Sequence, residues 1–290
     1  MNTHAEAGAC GLRMLDGSGR FLPESKRGFP SLKASFYKLS GLAKLFPRSK
    51  RFASYYLGHL NDKETHEVDV LTGAFFMTTK EVLEKTGGFD EQFFMYGEDI
   101  DLSYRIQQAG YKIYYLSAST IIHFKGESTK KGSLNYLKLF YQAMSIFFKK
   151  HYSRSRSRIF SYFIQMSIWF RASLSVIGNL YKRKRQRNDR EIVRTMVMGS
   201  QNEANEVLPI LTRQTSSSRK VSFIETEAGA ESITTHNPDE IIFCEGELSY
   251  RKIIQIMQQL PSNISFRIHA AGSGSIVSSD SKNTSGNVLI

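Results

Sequence analysis

Apolar positions along the chain fall into short runs and helical stripes that predict an alternation of strands and helices. "GLRMLDGSGRFLPESKRGFP" reads as a strand followed by a loop punctuated by Gly and Pro. "VDVLTGAFFM" (Val68–Met77) is an apolar run of strand character with Gly73 inside it. A glycine in a strand often marks close approach of the backbone to another group. A short helix is expected over "TTKEVLEKTGG", with Thr78 and Glu81 spaced as a capping box and Gly87 as its stop. From Glu98 to Ala109 the pattern is helical again, with Leu102 and Ile106 four apart and Gly110 beyond the end. "YKIYYL" and "STIIHF" predict two short strands. "LNYLKLFYQAMSIFFKKH" predicts an amphipathic helix with Leu134, Leu137, Tyr141, Met144 and Phe148 on its apolar stripe.

The pattern changes at "SRSRSR" (Ser153–Arg158). The next apolar stretch, Ile159–Tyr181, is roughly bilayer length, yet it contains Gln165, Arg171 and Asn179 and has basic runs on both sides. Basic flanks around a polar-interrupted stripe predict a helix lying in the membrane interface rather than one that spans. After Asp189, strand and helix patterns alternate to the end of "ISFRIHAAG", which predicts a small parallel α/β sheet. Gly199 and Ser200 fall between a strand and a helix start, a place suited to anions, and the Ser-rich stretch Ser273–Ser285 reads as loop. Three regions are therefore expected: residues 1–152, 153–189 and 190–290.

Composition narrows the partners. The 290 residues carry a formal net charge of +12, so an anionic partner is expected: nucleic acid, anionic lipid or a phosphorylated substrate. No RNA- or DNA-binding motif is present and the basic runs flank an apolar helix, which sets nucleic acid aside. Cys10 and Cys244 are far apart and outside any metal-type pair, so they read as reduced thiols of a cytoplasmic protein. The first residues lack the basic start and apolar run of a secretory signal.

Against that basic balance, "GGFDEQFFMYGEDIDLSYRI" (Gly87–Ile106) gathers Asp90, Glu91, Glu98, Asp99 and Asp101 around Phe93, Phe94 and Tyr96. Acids in a first helical turn are favoured by the helix dipole, and capping alone would account for such a trio. The surroundings add more. A Gly-Ala turn precedes the acids, and a lone histidine ends a strand after them, in "IIHFKGES".

Together, "GAFFM" (Gly73–Met77), "GGFDEQFFMYGEDIDLSYRI" and "IIHFKGEST" (Ile121–Thr129) closely resemble family 2 glycosyltransferases of the GT-A fold, particularly bacterial rhamnosyltransferase-like members. The resemblance covers about residues 1–150 and implies part of a GT-A domain. The C-terminal unit resembles, less specifically, the small Rossmann-like domains found beside polyprenyl-phosphate sugar transferases, so the whole is expected to be an α/β chain. Family 2 glycosyltransferases transfer a sugar from a nucleotide donor to a hydroxyl, usually with inversion and a divalent metal (Mg or Mn). By resemblance the general base is Asp99, with Glu98 and Asp101 either supporting it or binding acceptor hydroxyls. Nearby carboxylates raise the pKa of such a base, making it a better proton acceptor. The resemblance also places His123 at metal or diphosphate and Lys125 at phosphate. Gly73 and Ala74 would lie beside the donor sugar, and Phe94 and Tyr96 beside the acceptor.

Relatives carry a nucleotide-binding half with an Asp-x-Asp motif before the segment matched here. Asp62 and Asp69 do not form an equivalent, so the chain resembles the acceptor-side half. The implied setting is surface polysaccharide assembly at the cytoplasmic face of the inner membrane. A nucleotide-sugar donor (dTDP-rhamnose by resemblance), a lipid-linked saccharide acceptor and an anionic membrane surface are the expected partners. The alternative is a non-catalytic membrane-associated scaffold or nucleotide-sensing remnant.

Overall fold

A computed structural model describes residues 6–124, 134–152, 162, 166, 193–213, 219–278 and 287–290. They are mixed α/β, as the resemblance implies, and divide into two compact units. The first is built within Met1–Met14, Leu22–Ile121 and Gly132–Arg185, the second within Leu15–Phe21, Ile122–Lys131 and Gln186–Ile290. The helix expected over 159–181 lies almost wholly outside the described residues. Among the described residues, no helix is long and apolar enough to cross a membrane.

The first unit runs β1 (Ala7–Leu15), β2 (Lys26–Arg27), α1 (Leu32–Leu39), α2 (Leu42–Leu45), β3 (His66–Glu67), β4 (Val70–Leu71), β5 (Met77–Thr78), α3 (Lys80–Thr86), α4 (Glu98–Gln108), β6 (Lys112–Ile122) and α5 (Leu134–His151). One sheet has the order β3-β6-β1-β5, while β2 and β4 form a separate two-stranded ribbon. The run Val68–Met77 is thus not one strand. Its start pairs with β2 (Arg27↔Val70) and its end with β1 (Cys10↔Met77), so the chain must turn between them, at Gly73. The two strands expected from "YKIYYL" and "STIIHF" are instead the single strand β6. Helix α3 is capped one residue later than expected. The Thr79 side chain accepts from the Val82 N–H, whereas the Thr78 hydroxyl donates to the Gly8 carbonyl at 2.6 Å.

Helix α5 lies on α4 through its apolar stripe. Met144, Phe147 and Phe148 pack with Phe93, Ile100 and Val70 into one core cluster. Burying a side chain such as Phe147 stabilises the unit by roughly 1.5–3 kcal/mol.

The second unit contains β7 (Val193–Met198), α6 (Gln201–Arg213), β8 (Arg219–Ile224), α7 (Ala230–Thr235), β9 (Glu240–Glu245), α8 (Tyr250–Gln259), β10 (Ser265–Ala270), β11 (Ile276–Ser278) and β12 (Asn287–Leu289). Its sheet has the order β12-β11-β10-β9-β7-β8. Strands β8, β7, β9 and β10 are mutually parallel, as the alternating pattern predicts, and β11 and β12 add antiparallel. The Ser-rich end is therefore not all loop, because Ile276 and Leu289 are drawn into the core beside Val197 and Ile242.

Candidate active site

Helix α4 begins abruptly. Tyr96 (φ 70°) and Gly97 (φ 92°) both take left-handed conformations, and Gly97 offers no side-chain cap to the first turn. A positive φ at a bulky residue costs of order 1–3 kcal/mol and clusters at functional sites. Here it turns the chain so that Glu98 and Asp99 meet the turn carrying Gly73. A Cβ on Gly73 would sit 3.7 Å from Glu98 Oε1 and 3.8 Å from Asp99 Cβ.

Asp99 is buried, and its two oxygens are treated differently. Oδ2 accepts from Arg27 Nη2 at 2.6 Å and from the Gly73 N–H at 3.1 Å. Oδ1 accepts no hydrogen bond among the described residues. The same Arg27 Nη2 also donates to the Leu71 carbonyl at 2.6 Å. Burial opposes the guanidinium charge, but Asp99 and Tyr55 outweigh it and hold the Arg27 pKa above its usual value. Glu98 lies beside this pair with Oε2 buried, and neither it nor Arg27 Nε has a hydrogen-bond partner among the described residues. Burial, reinforced by the Asp99 charge, pushes the Glu98 pKa above the ordinary carboxylate range.

Asp101, two residues on, is fully enclosed and saturated. Oδ2 accepts from Arg105 Nε at 2.8 Å. Oδ1 lies 3.0 Å from Lys150 Nζ and 2.6 Å from His151 Nε2. Burial alone would raise its pKa, yet the bonds from His151, Lys150 and Arg105 prevail and hold it below the usual range. Arg105 also donates to the carbonyls of Thr86 and Gly88, so the carboxylate ties α3, α4 and the end of α5 together. Both oxygens of Asp101, expected to support the base or to bind acceptor hydroxyls, are thus engaged by the fold.

The aromatic trio separates. Phe93 is core, Tyr96 is half-buried against the same core, and Phe94 is 85% exposed, free to meet a ligand. Gly73 and Ala74 are exposed in the turn after β4. His123 follows the end of β6, its N–H bonded to the Leu15 carbonyl at 2.8 Å, and belongs to the second unit. Lys125 lies outside the described residues. Asp62 and Asp69 are structural: Asp62 pairs with Arg13 at 2.8 Å, and Asp69 accepts from the Phe29 N–H.

Residues 46–137, which carry Gly73, Glu98 and Asp99, match the family model described as "Glycosyltransferase like family 2". That stretch is similar to family 2 glycosyltransferases. The chain is 28% identical over 182 residues to an N-acetylglucosaminyl-diphospho-decaprenol L-rhamnosyltransferase of Mycobacterium tuberculosis, in strains CDC 1551 / Oshkosh and ATCC 25618 / H37Rv. That alignment takes in 62% of this chain and 58% of the relative. It is also 39% identical over 57 residues to Rhamnosyltransferase WbbL of Escherichia coli strain K12, covering 20% of this chain and 22% of that protein. The chain thus spans a little over half the length of the mycobacterial relatives it matches. No solved structure gives a significant match.

Family 2 glycosyltransferases often use a divalent metal. Among the described residues no three His, Cys, Asp or Glu side chains are grouped to hold a metal ion. Asp99 is committed to Arg27 through Oδ2 and Asp101 is saturated, which leaves Asp99 Oδ1 and Glu98 Oε2 as the open acidic oxygens of this turn among the described residues. Two carboxylate oxygens are too few to hold a metal ion by themselves, so these residues do not make a metal site.

Sequence reading missed Arg27, Lys150 and His151. Arg27 stands in "SKRG", indistinguishable by composition from the exposed cations that follow it. Lys150 and His151 end an amphipathic helix, where basic residues are ordinary dipole partners. Only the tertiary pairing of α5 with α4 reveals their role.

Proposed function

We propose that the chain works in nucleotide-sugar-dependent glycosyl transfer of the rhamnosyltransferase type, in bacterial surface polysaccharide assembly, with Asp99 as general base. One observation carries the reading. Asp99 is fixed through Oδ2 by Arg27 and the Gly73 N–H while Oδ1 is left without a bond among the described residues. A base needs one oxygen held for orientation and one open to the proton it takes. The acceptor hydroxyl gives its proton to Oδ1 as its oxygen attacks the anomeric carbon, and the bond to the nucleoside diphosphate breaks with its electron pair on the departing phosphate. Attack from the face opposite the leaving group inverts the anomeric centre. Exposed Phe94 offers a flat apolar surface to a sugar ring, and the exposed Gly73–Ala74 backbone leaves room for the donor. The similarity to enzymes whose names specify rhamnosyl transfer supports the donor class, and the name "diphospho-decaprenol" supports a lipid-linked acceptor.

The experiment is transfer of labelled sugar from a panel of nucleotide sugars to a lipid-linked saccharide, comparing the parent with Asp99→Asn. Loss of the base should lower the rate about 10²–10⁴-fold with folding intact. Near-parental turnover of Asp99→Asn would remove Asp99 from this role.

A further inference from the structure

From Lys26 to Arg51 every charged side chain is Lys or Arg. Lys26 and Arg27 are buried and used by the fold, but the later cations stand in the exposed region formed by α1, α2 and the following loop. Lys33, Lys44, Arg48 and Lys50 make no ion pair among the described residues. Large apolar side chains stand out among them: Leu45 is 70% exposed, Phe36 51% and Phe46 46%.

The rings are continuous. Phe36 meets Tyr37 with centroids 6.0 Å apart, Tyr37 meets Phe52 at 5.1 Å, and Phe52 meets Phe46 at 5.3 Å. Arg51 sits on this ribbon, its guanidinium 5.6 Å from the Phe52 centroid and its Nε bonded to the Tyr37 hydroxyl at 3.2 Å. A contiguous apolar strip set among cations without acids is the composition of a surface that lies in a lipid headgroup layer. Nucleic acid would use the cations, but it leaves Leu45 and Phe36 in water with nothing to cover them.

We propose that the α1–α2 hairpin docks on an anionic bilayer, with Phe36, Leu45 and Phe46 entering the interface and the surrounding cations meeting lipid phosphates. This surface differs from the apolar stretch 159–181 and stands on its own geometry. It draws on the transfer reading only for its purpose, to bring the site to a lipid-linked acceptor. Arg27, which holds Asp99, lies five residues before α1 begins, so the docking surface and the base are joined by a short piece of chain.

The test uses the full chain with Trp169→Phe, which removes the one native Trp, and Phe46→Trp as a local reporter. It is mixed with vesicles of phosphatidylcholine alone or with phosphatidylglycerol, with and without brominated acyl chains. The expected result is a blue shift and bromine quenching with anionic vesicles only, weakening as salt rises. Lys44→Glu with Lys50→Glu should lower partitioning at least about tenfold, since each cation near an anionic surface is worth roughly fivefold. Co-sedimentation without quenching of the reporter at position 46 would mean that the chain binds elsewhere and overturns the proposal. Failure to bind vesicles, or a shift given by an RNA oligonucleotide instead, overturns it as well. Transfer to a water-soluble acceptor tests the catalytic reading separately, so the two can fail independently.

Discussion

The starts of α4 and α6 pose the same problem, a first helical turn with acids in it, and solve it in opposite ways. At α6 the chain closes on itself. Glu203 is buried, and its Oε2 accepts from the Ser200 N–H at 2.7 Å and the Ser200 hydroxyl at 2.9 Å. The carboxylate fills the space between the ends of β7 and β9, so that a Cβ on Gly199 would fall 2.8 Å from its Oε2 and one on Gly246 would collide with its Oε1. That is the switch point of the parallel sheet, where open α/β sheets usually receive a ligand. The anion expected beside Gly199 and Ser200 is supplied by the protein's own side chain.

At α4 the turn is left open. Gly97 provides no cap, Tyr96 is strained, and Glu98 Oε2 and Arg27 Nε are buried without partners among the described residues. Unsatisfied groups and backbone strain in an otherwise well-packed unit are what function leaves behind when it overrides local optimisation. A turn that satisfies itself has little left to offer a ligand. One that does not is where chemistry is sought.

The largest effect should come from breaking the saturated end of α4. Asp101→Asn removes the counter-charge from Arg105 and Lys150 and weakens the bond to His151, and should cost about 3–5 kcal/mol of stability. Because the folded pKa of Asp101 lies below its unfolded value, its contribution is fully present above the unfolded pKa, about 3.9. It is lost as pH falls through the folded value. Denaturant unfolding should therefore show parent and variant furthest apart near neutrality and converging in strong acid; a constant gap at all pH would break this account. A smaller loss is expected from breaking the closed turn. Glu203→Ala removes the reciprocal cap of α6 and should cost ~1 kcal/mol in unfolding of the second unit. Transfer activity should not change, because the carboxylate serves the turn and not a ligand.

How much of this was legible in sequence follows the same division. The second unit reads almost directly, because buried parallel strands and amphipathic helices announce themselves by period. What it does not announce are the short helix α7 and the antiparallel strands β11 and β12; β11 carries Ile276 into the core from a Ser-rich stretch. The first unit reads by motif: α4 starts at Glu98 as expected and Gly87 ends α3. Its pairings do not read. Val70 and Met77 belong to different ribbons because of partners roughly forty and seventy residues away, and the alternation that joins β6 into one strand is interrupted by small polar residues. The roles of Asp99 and Asp101 diverge for the same reason. Two residues apart in one motif, they are told apart only by Arg27, Lys150 and His151, whose approach no local pattern encodes.

The smallest effect gives the sharpest contrast with Asp101. Glu98 is a carboxylate whose folded pKa is raised, so folding disfavours its charged form. The penalty is absent below the unfolded pKa, about 4.3, grows as pH rises toward the folded value, and is complete above it. Glu98→Gln keeps the shape and removes the charge. It should therefore stabilise the protein at neutral pH by a few tenths of a kcal/mol to ~1 kcal/mol, within the usual range for a single partly exposed position. The gain should vanish near pH 3, where the parent is protonated too. Thermal unfolding of parent and variant across that range gives the sign directly. A variant less stable than the parent at pH 7 would show that Glu98 is held by a partner after all, and the open turn of α4 would then be as self-satisfied as the closed one at Ser200.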